Sequence, residues 1–120
     1  LEQAELTDVA HTTAATLGQG GRKTLEMAMA IAQRPRLLLL DEPTAGMSLE
    51  DARAAVVQLT TLLEMRPELT IVLTAHDMDV INQVAERVVL MARGQVVLEG
   101  PPAEVSAHAT TRELYLGGTA

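Results

Sequence analysis

Asp41 and Glu42 stand at the end of the run Leu37-Leu38-Leu39-Leu40, and His76 follows a second apolar run, Ile71-Val72-Leu73. Two adjacent carboxylates and an imidazole can hold a hard cation, position a water and move a proton. Such chemistry needs the three groups at one place. Four leucines without alternation predict a strand buried on both faces. In an open α/β sheet, ligands gather at the carboxyl ends of the strands, so acids placed there are set to act on something. The same acids also read as solvated residues opening a turn before Pro43, and a lone histidine at a strand end as a hydrogen-bonded structural residue.

A second candidate lies upstream. Leu17-Gly18-Gln19-Gly20-Gly21-Arg22-Lys23 precedes an apolar helical stretch expected over residues 24–33. Glycines before a helix expose backbone N–H groups at its positive end, which makes an anion site. Arg22 and Lys23 oppose the macrodipole in a first turn, and an anion explains them better than helix stability does. The alternative is a flexible loop with two exposed cations. The methionines of this helix read as core filler, and its nearly unbroken apolar surface predicts burial all round.

The remaining elements supply the frame. Leu1 to Ala10 reads as a helix entered midway, which hints at a chain cut from something longer; residues 11–16 read as a loop, with His11 solvated. Arg34-Pro35-Arg36 stops the apolar helix. Ser48-Leu49-Glu50-Asp51 resembles a capping box, and Ala52, Ala55, Val56, Leu59, Leu62 and Leu63 give the next helix one apolar face up to Pro67. A strand over residues 68–75 follows, then a helix over 78–86 capped by Asp77. A strand, a helix and a strand in one sheet run parallel, which brings His76 to the rim that holds Asp41 and Glu42. Arg93-Gly94 marks a hairpin between strands at 87–92 and 95–99. Short helical segments at 103–106 and 111–116 close the chain, with His108 in a solvated loop.

Composition removes several function classes. The 120 residues carry a formal net charge of −7 with Lys and Arg scattered, so a general nucleic-acid binder is excluded. Hydrophobic residues make up 48% of the chain with one Tyr and no Phe or Trp, so the core is aliphatic. There is no cysteine, hence no disulfide and no thiolate metal site. No apolar run approaches the roughly 18 residues of a spanning helix.

Read in order, these pieces resemble the second half of an ATP-binding-cassette (ABC) ATPase, the nucleotide-binding subunit of a transporter, over essentially the whole chain. Leu17-Gly18-Gln19-Gly20-Gly21 is similar to the family's signature loop, usually Leu-Ser-Gly-Gly-Gln. The leucine run with Asp41-Glu42 is similar to the Walker B strand, Ala45-Gly46-Met47-Ser48 to the D-loop, and His76 to the switch histidine. Ala75-His76-Asp77-Met78-Asp79, Gly100-Pro101-Pro102-Ala103-Glu104-Val105 and Tyr115-Leu116-Gly117-Gly118 resemble the branched-chain amino-acid importers, with urea importers and a lipopolysaccharide exporter as near relatives.

The resemblance implies an α/β fold, a mostly parallel sheet covered by helices, as the C-terminal part of a P-loop NTPase domain. It implies ATP and Mg²⁺ as ligands. Asp41 would hold the metal through its water shell, Glu42 would polarise the attacking water, and His76 would contact the γ-phosphate. Leu17, Gly18, Gln19, Gly20, Gly21 and Ser48 would meet the nucleotide of a second, head-to-tail subunit. Integral-membrane permease subunits and a peripheral position on the cytoplasmic face of the inner membrane are implied as well.

Three departures stand out. Gly18 and Gly21 replace the signature serine and glutamine, which removes a hydroxyl donor and implies slow hydrolysis. Ser48 replaces the D-loop aspartate and has an ordinary use as a helix cap. No Gly-x-x-x-x-Gly-Lys-Ser/Thr occurs, and the Q-loop region is missing. The expectation is that all 120 residues form a partial nucleotide-binding domain that neither binds ATP tightly nor hydrolyses it alone. Either it is part of a full-length subunit, or it is a truncated protein that lends a dimerisation surface to others. In isolation the leucine strand would expose an edge, which predicts association.

Overall fold

The computed structural model describes residues 6–115, and the chain falls into two compact units that divide between His76 and Asp77. The α/β class expected from the sequence is the one observed. The motif residues 116–118 lie outside the described residues.

In the first unit, α1 (Gln19–Ala32), β1 (Leu37–Asp41), α2 (Leu49–Met65) and β2 (Thr70–Thr74) follow two short 3₁₀ turns, Thr7–Val9 and Ala14–Thr16. The α-helix expected at residues 1–10 is replaced, within its described part, by the first of those turns. β1 and β2 pair in parallel, with Leu37 opposite Thr70 and Asp41 opposite Thr74. This is the pairing that the helix between them demands.

α1 starts at Gln19, five residues earlier than the glycines suggested, so Gly20 and Gly21 lie within its first turn. Gly18 caps it in extended conformation, and its carbonyl accepts from the Arg22 N–H. Glycine keeps its N–H, and its cost in a helix is one of backbone entropy, about 0.8–1.0 kcal/mol in a helix interior, which does not prevent it from opening one. α2 is capped as expected: Ser48 Oγ accepts from the Asp51 N–H at 3.1 Å and donates to Asp51 Oδ2 at 2.8 Å. Its face of Ala55, Val56 and Leu59 is buried and meets a core that includes Met27, Leu38 and Leu69. Burying a leucine such as Leu59 contributes about 1.5–3 kcal/mol.

Two burial expectations are corrected. Leu38 is 4% exposed, but Leu37 and Leu39 are 53% and 68% exposed, so β1 is covered on one face only. α1 buries Met27 alone, with Met29 at 61%. An unalternating apolar run says that both faces want cover. It does not say that the cover is encoded within the same 120 residues. Met27, Ala28 and Ile31 of α1 face Val57, Leu62 and Met65 of α2 across an open groove of about 750 Å³.

The second unit contains α3 (Met78–Val84), β3 (Val88–Ala92), β4 (Gln95–Gly100), α4 (Pro102–Ala107) and α5 (Ala109–Tyr115). Asp77 caps α3 by accepting from the Asp79 N–H at 2.9 Å, and the helix stops two residues short of expectation. β3 and β4 form the expected antiparallel hairpin, with a bulge between Leu90 and Met91. Arg93 and Gly94 both have positive φ, 51° and 77°, as a two-residue type I′ turn requires. Pro102 opens α4, where a missing N–H costs nothing. His108 does more than sit in solvent: its Nδ1 accepts from the Thr110 N–H at the start of α5. Val80, Ile81, Val88 and Val105 are the buried aliphatics of this unit.

Candidate functional site

Parallel pairing carries both strand ends to one edge of the sheet. Asp41 is the last residue of β1 and Glu42 the first beyond it; Thr74 ends β2, and His76 follows two residues later. His76 Nδ1 lies 2.9 Å from Glu42 Oε2. With Glu42 ionised, Nδ1 carries the proton and donates. The side chains are 77% and 38% exposed, so the pair is open to a ligand from solvent.

Glu42 has φ of +47°, left-handed and uncommon for a residue with a Cβ. The following Pro43, itself buried, disfavours the right-handed helical region for Glu42. The peptide groups of Glu42 are then held from several sides. Its N–H donates to the Thr74 carbonyl at 3.1 Å and to Thr74 Oγ1 at 3.0 Å. Its carbonyl accepts from the Ala45 N–H at 3.1 Å and from Lys23 Nζ at 2.8 Å. A left-handed non-glycine residue stores strain of about 1–3 kcal/mol, and it persists where its surroundings over-determine it. The Cα–Cβ bond of Glu42 is thereby directed by the backbone, and His76 meets the carboxylate at its end. Thr74 Oγ1 also donates to Asp41 Oδ1 at 2.5 Å.

The glycine-rich segment meets the loop after Glu42. Gly46 has φ of +75°, and a Cβ built there would lie 2.8 Å from Gln19 Oε1. A Cβ on Gly20 would lie 3.4 Å from Asp51 Oδ2. Gln19 and Gly20 therefore pack on the loop and cap that precede α2. One on Gly21 would touch only the Leu17 side chain, and one on Gly18 would meet open space.

Of the residues expected to act, Asp41, Glu42 and His76 are brought together. Leu17, Gly18, Gln19, Gly20 and Gly21 lie around the start of α1. Ser48 has its hydroxyl engaged twice with Asp51 as a cap. The two cations read as anion ligands serve the chain itself: Arg22 donates to the Ala15 carbonyl at 2.6 Å and Lys23 to that of Glu42. Sequence reasoning missed Lys23 as a support for Glu42, and it missed Thr74. The only signal for Thr74 was a hydroxyl residue ending a strand whose centre is aliphatic.

Among the described residues, no three His, Cys, Asp or Glu side chains form a cation cage. The donors at the rim are hard oxygens, carboxylate and hydroxyl. That set fits Mg²⁺, which keeps several waters and takes one or two carboxylates together with substrate phosphates. No helix among the described residues is long and apolar enough to cross a membrane.

A family model described as "ABC transporter" matches residues 1–45. The chain is 31% identical over 120 residues to the high-affinity branched-chain amino acid transport ATP-binding protein BraF of Pseudomonas aeruginosa, covering 98% of this chain and 46% of BraF. It is 40% identical over 112 residues to the methionine import ATP-binding protein MetN 2 of Pectobacterium atrosepticum, covering 91% of this chain and 33% of that protein. Among solved structures, cbiO1 from Clostridium perfringens, part of the ABC transporter complex cbiONQ, superposes with a TM-score of 0.78 at 27% identity. That match covers 98% of this chain and 47% of cbiO1. The chain thus spans less than half the length of each.

Proposed function

We propose that this chain, similar to ATP-binding-cassette proteins in sequence and in fold, forms one half of a transporter ATPase site: Asp41, Glu42 and His76 serve one nucleotide, and residues 17–21 serve another. The observation that carries this reading is the Glu42–His76 pair at the adjoining ends of two parallel strands. Phosphoryl transfer asks the protein to position a water, hold a metal and donate to developing charge, with little covalent chemistry of its own.

Glu42 does the first. Its left-handed backbone directs the Cα–Cβ bond and His76 meets its carboxylate, which accepts a proton from the attacking water and orients it toward the γ-phosphate. Asp41, beside it, would hold Mg²⁺ through coordinated water; the ion, when bound, supplies charge neutralisation on the phosphate oxygens. His76 ties the Glu42 carboxylate through Nδ1. Its other ring nitrogen, Nε2, is left to meet a phosphate oxygen. Loss of the phosphate then changes what His76 can bond, which makes it a sensor of hydrolysis.

The first turn of α1 exposes N–H groups at a positive helix end, which suits the phosphates of a nucleotide held by a second subunit. The assembly we infer is a head-to-tail pair of cassette subunits beneath integral-membrane permease subunits, peripheral on the cytoplasmic face. The likeness to BraF and the three segments similar to branched-chain amino-acid importers support a branched-chain amino acid as cargo. The likeness to MetN 2 makes methionine the competitor to test beside it.

Calorimetric titration of MgATP into the 120-residue chain tests the half-site reading. No heat at millimolar nucleotide, with turnover in the full-length protein that contains this segment, is the expected result. Saturable binding that disappears in Asp41→Asn would instead mean a complete nucleotide site. A second reading, a non-catalytic interaction module, predicts no turnover in any assembly.

A further inference from the structure

Thr74 ends β2 directly opposite Asp41 in the parallel register. Its hydroxyl makes two bonds at once, donating to Asp41 Oδ1 at 2.5 Å and accepting from the Glu42 N–H at 3.0 Å. We propose that Thr74 is a positioning residue for phosphoryl transfer, one hydroxyl setting both the Asp41 carboxylate and the Glu42 backbone. This rests on the function proposed above.

A hydroxyl has one proton to give. Thr74 gives it to Asp41, and the opposite side of the oxygen receives the Glu42 N–H, so the two bonds fix the hydroxyl's rotation and depend on each other. Asp41 is otherwise an exposed carboxylate at a strand end, free to turn about its χ angles. With Oδ1 engaged, its plane is set, and Oδ2 has no partner among the described residues. Glu42 is the residue whose left-handed backbone directs its Cα–Cβ bond, and Thr74 holds the N–H of that residue with both its carbonyl and its hydroxyl. The two acids, with different tasks, are thus indexed to a single atom on the neighbouring strand.

Stability alone does not explain this arrangement. Asp41 and Thr74 are both exposed, where a hydrogen bond adds little to folding. As a strand former, valine would serve equally well, because it keeps the branched Cβ. What valine lacks is the hydroxyl.

The test uses the full-length protein containing this chain, with Thr74→Val, Thr74→Ser and, as a site control, Glu42→Gln. Three quantities are read: amide hydrogen exchange at Glu42 without nucleotide or metal, kcat and KM for MgATP, and the melting temperature. In Thr74→Val, Glu42 exchanges faster while the amides of residues 71–73 do not. Its kcat falls about ten- to a hundredfold, the range usual for partners that orient a metal-side ligand. KM for ATP stays at its wild-type value, any fall in melting temperature is too small to account for the loss of kcat at the assay temperature, and Thr74→Ser restores kcat and exchange. Should Thr74→Val fail to fold, Thr74→Ala carries the same expectation for kcat and exchange. Wild-type kcat in the hydroxyl-free variant, or an equal loss in Thr74→Ser, overturns the proposal. If Glu42→Gln abolishes turnover while Thr74→Val leaves it intact, this inference alone fails. If Glu42→Gln also leaves turnover intact, the reading of the site fails and this inference with it.

Discussion

His76 Nδ1 and Glu42 Oε2 meet at 2.9 Å although 34 residues separate them in the chain. The register of β1 on β2 accounts for it: Asp41 is opposite Thr74, so the residues that follow each leave the sheet side by side. With Glu42 as the general base proposed above, its removal should cost about 10²–10⁴-fold in turnover. Glu42→Gln is therefore expected to abolish ATP hydrolysis in the full-length protein with its melting temperature kept. His76→Ala should lower turnover too, while ATP still binds. Steady-state phosphate release beside nucleotide-binding isotherms checks both; hydrolysis at the wild-type rate in Glu42→Gln would remove Glu42 from the mechanism.

Lys23 donates from α1 to the carbonyl of Glu42, so α1 helps to hold the site through one ammonium group. A net hydrogen bond of this kind is worth about 0.5–1.5 kcal/mol, more where one partner is charged. Lys23→Met should lower unfolding free energy in urea by about that amount and reduce turnover, because Glu42 loses a restraint on its strained backbone. Lys23→Arg should recover much of both. A methionine variant with unchanged turnover would leave Lys23 as a surface cation.

Gly46 is doubly constrained. Its φ of +75° disfavours any Cβ, and a Cβ there would also strike the Gln19 carboxamide. Left-handed backbone costs a non-glycine residue about 1–2 kcal/mol. Gly46→Ala should exceed that, and Gln19→Gly in the same chain should return the excess, leaving the backbone cost alone. Denaturation midpoints of the two single variants and the double variant read the coupling. Additive effects would mean that Gln19 swings aside and that the two loops are not in register through this contact.

Ser48 bonds Asp51 as both acceptor and donor, the behaviour of a cap. Ser48→Ala should cost about 1 kcal/mol of stability, as lost caps do. Ser48→Asp, which can also cap, should keep it. If the D-loop role implied by the family resemblance also holds, Ser48→Ala will slow turnover beyond what its stability loss explains. Turnover measured well below the melting temperature separates the two uses.

The local chemistry of this fold was legible because each signal names its own partner. Ser48 with Asp51, Asp77 before α3 and the pair Arg93-Gly94 specify caps and a turn within a few residues. The convergence of Asp41, Glu42 and His76 followed from one inference, that a helix between two strands makes them parallel. Thr74 and Lys23 were not legible. Their roles depend on which residue lies across the strand and on where a helix side chain ends, distances that no spacing rule carries. The start of α1 was missed because glycine reads as a breaker, whereas a first turn tolerates it. The burial of Leu37 and Leu39 was overestimated because hydropathy reports what a residue prefers to touch, not whether the chain contains it.

Leu39 and Val72 are register partners on β1 and β2 and so lie side by side on one sheet face. Leu37, two residues back, shares that face, and all three are more than half exposed. Contiguous apolar surface of this kind on a parallel sheet is unusual, since such sheets ordinarily have both faces covered. The isolated chain is therefore expected to associate, with a scattering mass above that of a monomer that grows with concentration. Leu39→Glu places a charge at the centre of the patch and should return the mass toward the monomer without altering far-ultraviolet circular dichroism. A wild-type chain that stays monodisperse and monomeric at high concentration would show that the exposed leucines are tolerated in water.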